Sequence, residues 1–187
     1  MRKLIAAINM SLDGFCDHDK MDADDEVHRH YAELLRDADT IIYGRKTFEL
    51  MEFWPTLVAN PSGNAAMDEF AVVMDGIHKI VYSRTIEKVD WKTAELKREL
   101  ANEDIVALKS QDGKPILVGS PSMIVQLANL GLVDEYQIAI HPAIVGSGLA
   151  LFKGIAKRID LKLLKSKTFV CGAVIHYYAS TGQNLER

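Results

Sequence analysis

Ile116-Leu117-Val118-Gly119-Ser120-Pro121-Ser122, an apolar helix-like segment, Gly131-Leu132-Val133-Asp134-Glu135-Tyr136 and His141-Pro142-Ala143-Ile144-Val145-Gly146-Ser147-Gly148, closed by Leu151-Phe152, form the stretch that decides the fold. Its first piece is a short β-like run that ends in a glycine and two serines. Working outward, Gly44-Arg45-Lys46-Thr47-Phe48 and Ser83-Arg84-Thr85 each follow another such run. In an open α/β sheet, ligands bind outside the carboxyl ends of the strands. Phosphate-friendly turns at several such ends point to one extended anionic ligand, a dinucleotide.

Each turn has its own chemistry. Gly44 lets the backbone turn tightly and approach a ligand, and the helix start after it offers free N–H groups to phosphate. Arg45 and Lys46 add charge and Thr47 a hydroxyl. At Ser83-Arg84-Thr85, a guanidinium flanked by hydroxyls suits a terminal phosphate, such as a 2′-phosphate on an adenosine ribose. Gly119 gives close approach, Ser120 is placed to cap the next helix, and Pro121 suits its first turn. A pyrophosphate fits that terminus. Neither G-x-G-x-x-G nor a P-loop occurs in the chain.

Strands and helices alternate through the first two thirds. Lys3–Asn9 reads as a buried strand, Met10–Asp25 as a long acidic loop with Asp17, Asp19, Asp22, Asp24 and Asp25, and Glu26–Arg36 as an amphipathic helix. Asp39–Gly44, Lys79–Ser83, Ile116–Val118 and Glu135–His141 read as strands. Lys46–Met51, Ala65–Met74, Glu99–Ser110 and Ser122–Asn129 read as helices, and Glu52–Asn64 as a loop. Periodicity does not decide Lys92–Lys97. Leu161–Lys167 and Phe169–Ala179 read as an antiparallel strand pair, and Gln183–Arg187 as a frayed tail. The order predicts an α/β fold with a mainly parallel sheet and an antiparallel edge, in one domain over residues 1–187.

The chain has 187 residues, 48% of them hydrophobic and 26% charged, with a formal net charge of -4. That balance argues against general nucleic-acid binding, which requires a basic face. Its apolar runs are too short for a membrane span or a signal peptide, so a cytoplasmic protein is expected. Cys16 and Cys171 are too few and too far apart for a disulfide framework or a zinc site, and the acidic loop lacks the offsets of a calcium loop. No metal is expected.

Taken in order, Ser11-Leu12-Asp13-Gly14-Phe15, Gly44-Arg45-Lys46-Thr47-Phe48, Ser83-Arg84-Thr85, Gly119-Ser120-Pro121-Ser122 and Leu132-Val133-Asp134-Glu135 to Gly146-Ser147-Gly148 resemble the dihydrofolate-reductase-like superfamily. The branch most similar is the one related to the reductase domain of bacterial riboflavin biosynthesis, here as a stand-alone chain. The resemblance implies a sheet that binds NADPH across its strand ends. Gly44, Arg45, Lys46 and Thr47, with Ser83, Arg84 and Thr85, would hold the adenosine-phosphate end. Gly119, Ser120 and Ser122 would hold the pyrophosphate, and Ala6 and Ala7 would lie near the nicotinamide. The chain departs from dihydrofolate reductase on the first helix, where Val27-His28-Arg29-His30-Tyr31 carries no acid at the matching place.

The expected function is therefore an NADPH-dependent reductase that transfers a hydride to a small heterocyclic or carbonyl-bearing acceptor, pterin-like or riboflavin-precursor-like. The alternative is a non-catalytic nucleotide-binding or interaction protein on the same fold. Asp13 is the catalytic candidate, as a polar substrate contact in the loop over the expected cofactor; the equal alternative is that an Asp before Gly14 simply makes a turn. Phe15 and Trp54, with Met51 and Phe53, are candidates for an apolar wall against a planar acceptor. His28 and His30 read as helix-surface residues, with proton donation the alternative, and His141 ends a strand where it can face the same cleft. The apolar carboxyl-terminal strand pair suggests a homodimer.

Overall fold

A computed structural model describes residues 1–181 of the chain; the expected tail at Gln183–Arg187 lies outside the described residues. The elements run β1 (Leu4–Ser11), a single 3₁₀ turn at His18–Lys20, α1 (Asp25–Arg36), β2 (Thr40–Gly44), α2 (Arg45–Met51), α3 (Trp54–Ala59), α4 (Ala65–Gly76), β3 (His78–Tyr82) and β4 (Ala94–Lys97). They continue with α5 (Asn102–Ser110), β5 (Ile116–Val118), α6 (Pro121–Asn129), β6 (Glu135–His141), β7 (Leu161–Thr168) and β8 (Val174–Ser180).

Eight strands form one sheet in the order β4-β3-β2-β5-β1-β6-β8-β7. Pairing is parallel from β4 to β6 and antiparallel at β6/β8 and β8/β7. This is the mainly parallel sheet with an antiparallel carboxyl-terminal pair that the sequence predicts. Among the described residues no helix is long and apolar enough to cross a membrane.

Helices cover the two faces separately. On one face Ala32 and Leu35 of α1 and Phe70, Ala71 and Met74 of α4 pack on Ile5, Ile41, Tyr43, Val81 and Leu117. On the other, Ile105 of α5 and Met123, Ile124 and Leu127 of α6 pack on Leu4, Ala6, Ile42, Ile80 and Val118. The alternation along each strand assigns neighbours to opposite faces. The helix starts follow local chemistry. Asp24 caps α1 by accepting from the Val27 amide at 2.8 Å, and Asn64 caps α4 by accepting from Ala66 and Met67.

Charged groups are buried at the amino ends of the strands. Arg2 pairs with Asp39 and donates to the Lys114 carbonyl at 2.6 Å. Lys109 pairs with Asp134 at 2.7 Å, and the same carboxylate accepts from the Leu4 amide. Lys79 lies wholly inside, with Nζ donating to the Ile77 carbonyl and to Thr93 Oγ1. These pairs clamp one edge of the sheet and leave the opposite edge to the turns described next.

Some elements differ from expectation. Glu52–Asn64 is not a continuous loop: Trp54–Ala59 forms α3, with Pro55 in its first turn, where its missing N–H costs nothing. The undecided Lys92–Lys97 contains β4, which pairs in parallel with β3. Helix α5 starts at Asn102 rather than Glu99. Residues 169–173 form the turn of the last hairpin, in which the Phe169 amide bonds the Ala173 carbonyl at 2.8 Å, so β8 starts only at Val174.

Candidate functional site

The carboxyl ends of β3, β2, β5 and β1 lie side by side along one edge. Register sets Gly44 beside Tyr82, and Ile42 beside Val118. The turn after β2 therefore meets the turns after β3 and β5. The Gly44 amide donates to Ser120 Oγ at 2.9 Å. A Cβ on Gly44 would come 3.2 Å from Ser122 Oγ, and one on Gly119 would come 3.4 Å from the Tyr43 ring. Gly44 thus lets its turn close on the turn after β5, whereas a Cβ on Gly119 would only touch the Tyr43 ring of β2. Ser120, expected to cap α6, makes no cap bond; its hydroxyl is turned to Gly44 instead.

Beyond β3, Ser83 Oγ accepts from the amides of Thr85 at 3.2 Å and Ile86 at 3.0 Å. Its turn is held from below by Arg98, which donates to the carbonyls of Ser83, Ile86 and Glu87. Sequence reasoning missed Arg98, which carries no turn signature of its own. In both serines the oxygen accepts from backbone; that leaves the Ser120 hydroxyl proton to donate, while Ser83 Oγ also lies 3.5 Å from Thr85 Oγ1. Arg84 and Thr85 are exposed at the outer end of this edge. Arg45 and Lys46 are exposed on α2, but Arg45 is engaged by Glu49 at 3.0 and 3.2 Å. Thr47 is half-buried. Ala6 is closed inside the core, whereas Ala7 faces the α1 side, and its carbonyl lies 3.7 Å from the position of a Cβ on Gly119.

The Asp13 carboxylate is engaged by its own chain. It accepts from Ser11 Oγ at 2.7 Å, from the Gly146 amide at 2.7 Å and from the Val145 amide at 3.2 Å. The Ser11 hydroxyl is the largest influence and lowers its pKa; burial opposes it, and the Gly146 and Val145 amides add to the lowering, so the pKa lies below the ordinary value. Asp13 is a latch between the turn after β1 and the loop after β6. The same two segments are joined further along. The Cys16 amide donates to the Leu149 carbonyl at 2.9 Å, the Leu149 amide donates to Asp17 at 2.6 Å, and Phe15 pairs with Ala150. Burial pushes the Cys16 thiol up to about 11, which makes it a poor nucleophile.

The aromatic candidates divide. Phe15 is half-buried within that joined pair of segments. Trp54 is 7% exposed, with its ring 4.5 Å from Phe70 and 6.0 Å from His28, so it packs α3 onto α4 and α1 rather than walling a ligand. Met51 is buried in the same cluster. His28 is not a free surface group either, since its Nδ1 bonds the Asp24 carbonyl at 2.9 Å. His30 has a buried Nε2 without a partner and sits 5.4 Å from Phe169; burial pushes its pKa down to about 4.

At the end of β1 the structure brings together three residues. Asn9 Oδ1 lies 3.0 Å from Tyr31 Oη on α1 and 3.1 Å from His141 Nε2 on β6. His141 is 3% exposed, and burial lowers its pKa against the opposing carboxylates of Asp24 and Asp22. Of the three, His141 alone was singled out in the sequence. The available signal for Asn9 was a polar residue in phase with Ile5 and Ala7 on an otherwise apolar strand.

Comparisons with known proteins bear on the family and the fold. The RibD C-terminal domain family profile matches residues 2–175. The uncharacterized protein YyaP of Bacillus subtilis (strain 168) is 32% identical over 185 residues, covering 97% of this chain and 96% of its own length. Among solved structures, RibD of Acinetobacter baumannii superposes with a TM-score of 0.69 at 13% identity, over 97% of this chain and 58% of that one. Dihydrofolate reductase from Enterococcus faecalis, complexed with NADP(H), superposes with a TM-score of 0.66 at 13% identity, over 96% of both chains. At such identities the structural likeness carries the fold.

Proposed function

Since the chain belongs to the RibD C-terminal domain family, we propose that it is an NADPH-dependent reductase acting on a small heterocyclic or carbonyl-bearing acceptor. The observation that carries this reading is the alignment of Ser83–Thr85, Gly44–Thr47 and Gly119–Ser122 on adjacent strand ends, with the Gly44 amide bonded to Ser120. The likeness to a dihydrofolate reductase complexed with NADP(H) supports it.

The fit to a dinucleotide rests on this chain's own groups. Gly44 stands where a Cβ would crowd Ser122 of the neighbouring turn, which lets the turns after β2 and β5 pack side by side. Ser120 retains a hydroxyl proton to donate to a phosphate oxygen, and the Ser83–Thr85 hydroxyl pair has one to offer. Arg84, Thr85 and Lys46 occupy the outer end, where a 2′-phosphate would be received. Arg45, shared with Glu49, contributes less. The Ala7 backbone stands at the inner end, beside Gly119. When bound, the cofactor supplies the hydride, and the acceptor gains that hydride and a proton. The chain holds the two reactants in register, which is the larger part of such catalysis.

The test is a melting-shift titration with NADPH and, in parallel, NADH. A ligand at a hundred times its dissociation constant adds about 2.7 kcal/mol to stability. A clear shift with NADPH preferred is expected, and no shift with either nucleotide overturns the reading.

The second reading, nucleotide binding without turnover, is favoured by one observation: the carboxylate of Asp13 is engaged by the Ser11, Val145 and Gly146 latch. NADPH oxidation against a panel of pterins, flavins and quinones separates the two readings. The proposal also includes a cytoplasmic homodimer that covers the exposed Leu161, Leu163 and Leu164 of β7. Light scattering that reports a monomer at micromolar concentration overturns the dimer.

A further inference from the structure

Resting on the reductase reading above, we propose that Arg98 is a positioning residue that sets the preference for NADPH over NADH, by holding the turn after β3 in the form that receives a 2′-phosphate. Its place follows from the sheet. β3 and β4 are parallel neighbours, and their register sets Tyr82 beside Lys97. One further rung is made, from the Ser83 amide to the Lys97 carbonyl at 3.0 Å. Arg98 is the first residue past β4, the edge strand, and so stands directly beside the start of the turn.

The contacts divide the turn into two sides. Arg98 Nη1 donates to the Ser83 carbonyl at 3.2 Å and to the Ile86 carbonyl, and Nη2 donates to the Glu87 carbonyl at 3.2 Å. A guanidinium can only donate, so the direction of these bonds is fixed. One side chain thus collects three carbonyls of the turn. In a trans peptide the N–H points away from the C=O that precedes it. With the Ser83 carbonyl turned to Arg98, the Arg84 amide is turned to the other side. Among the described residues no group accepts from that amide. The amides of Thr85 and Ile86 are fixed on Ser83 Oγ.

That division suits an anion. Carbonyl oxygens carry partial negative charge and oppose a phosphate, whereas outward amides attract it. Arg98 draws the carbonyls to the far side of the turn and sets its own positive charge behind them. The Arg84 amide and the Arg84 side chain are left on the side where a phosphate would sit. NADH shares every group of NADPH except that phosphate, so it serves as the internal control. A loosened fold weakens both nucleotides alike, and a turn that has lost its form weakens NADPH alone.

The experiment titrates wild type and variants with NADPH and with NADH. Arg98→Ala should lower NADPH affinity by roughly threefold to tenfold and leave NADH within about twofold. Arg98→Lys keeps the charge on a single nitrogen, which cannot span the carbonyls that the guanidinium holds with two. It should lose most of the preference as well. Arg84→Ala and the double variant separate positioning from direct contact. Arg98 acts through the turn that carries Arg84, so the two losses should combine to less than their product. Losses that multiply in full show that Arg98 meets the phosphate itself, and overturn the positioning role. A preference that Arg98→Ala leaves unmoved overturns the proposal. So do equal weakening of both nucleotides, an unchanged preference in Arg98→Lys, and a wild type that binds NADPH and NADH equally. Absence of binding of either nucleotide by wild type is a different result, which removes the reductase reading itself and this proposal with it.

Discussion

The backbone amide of Gly44 and the hydroxyl of Ser120, 76 residues apart in sequence, are joined by a buried hydrogen bond of 2.9 Å. Ser120→Ala leaves the amide buried and unpaired. That should cost about 1–3 kcal/mol of stability and weaken NADPH binding at the same time, because the two turns are no longer held together. Urea denaturation and nucleotide titration of the same preparation check both effects. A stability loss with unchanged nucleotide affinity would separate the bond from the site.

Arg84 and Arg45 offer a comparison within one edge. Arg84 is exposed at the outer turn, whereas Arg45 is held by Glu49. Arg84→Ala should weaken NADPH by about tenfold, as expected for the loss of one charge-assisted contact, with little change for NADH. Arg45→Ala should do less. Both substitutions should leave stability within about 0.5 kcal/mol. Equal losses for NADPH and NADH would show that Arg84 does not read the 2′-phosphate.

Lys79 gives the protein a predictable alkaline response. Its ammonium sits 3.9 Å from the centre of the Trp91 ring, and burial lowers its pKa to about 8 from 10.5. Between those values the unfolded chain binds a proton that the folded chain has released, so this group makes stability rise with pH across that window. Below about pH 8 its contribution is flat. Cys16 acts in the opposite sense above its ordinary value of 9.0, because its folded pKa is raised. The difference between wild type and Lys79→Met, followed by urea denaturation from pH 7 to 10.5, isolates the lysine. That difference should shift in favour of wild type as pH rises, and a constant difference contradicts the assignment.

Asp13 should behave as a latch. Asp13→Ala is expected to speed hydrogen exchange at the Val145 and Gly146 amides, which its carboxylate accepts from, and to leave the Gly44 amide unchanged. The lowered pKa fixes the direction with acid. The latch is fully made above the ordinary aspartate range and opens as pH falls through the lowered folded value. Exchange at Val145 that is indifferent to the substitution contradicts the role.

The fold was legible because its signals are local. Glycine and serine close short apolar runs at Gly44 and Gly119, and Tyr136, Ile138 and Ile140 alternate along β6. Failures came where local signals conflict or contacts are distant. Trp54-Pro55 reads as a loop, although proline suits a helix start equally well. Ala94–Lys97 is too short and too mixed in exposure to show a period. Within the site, residue types were readable and partners were not. Ser120 is a good cap by type, and only the sheet order places Gly44 nearer to its hydroxyl. Asn9 meets Tyr31 and His141 across 22 and 132 residues, and no spacing rule links them.

β1 is made first, yet it lies in the middle of the sheet, and its neighbours pair from Ile116 and Glu135 onward. During synthesis on the ribosome, Leu4–Ser11 therefore emerges with no strand to pair with. β2, β3 and β4, with α1 and α4, are complete by Lys97 and can assemble beforehand. Of the described strands the first-made one thus finds both its neighbours only after Ile116–Val118 and Glu135–His141 have been made. Until then its apolar backbone is an open edge, the kind of surface on which nascent chains associate and chaperones act. The central strand that builds the crevice is also this chain's period of greatest exposure on its way to the native state.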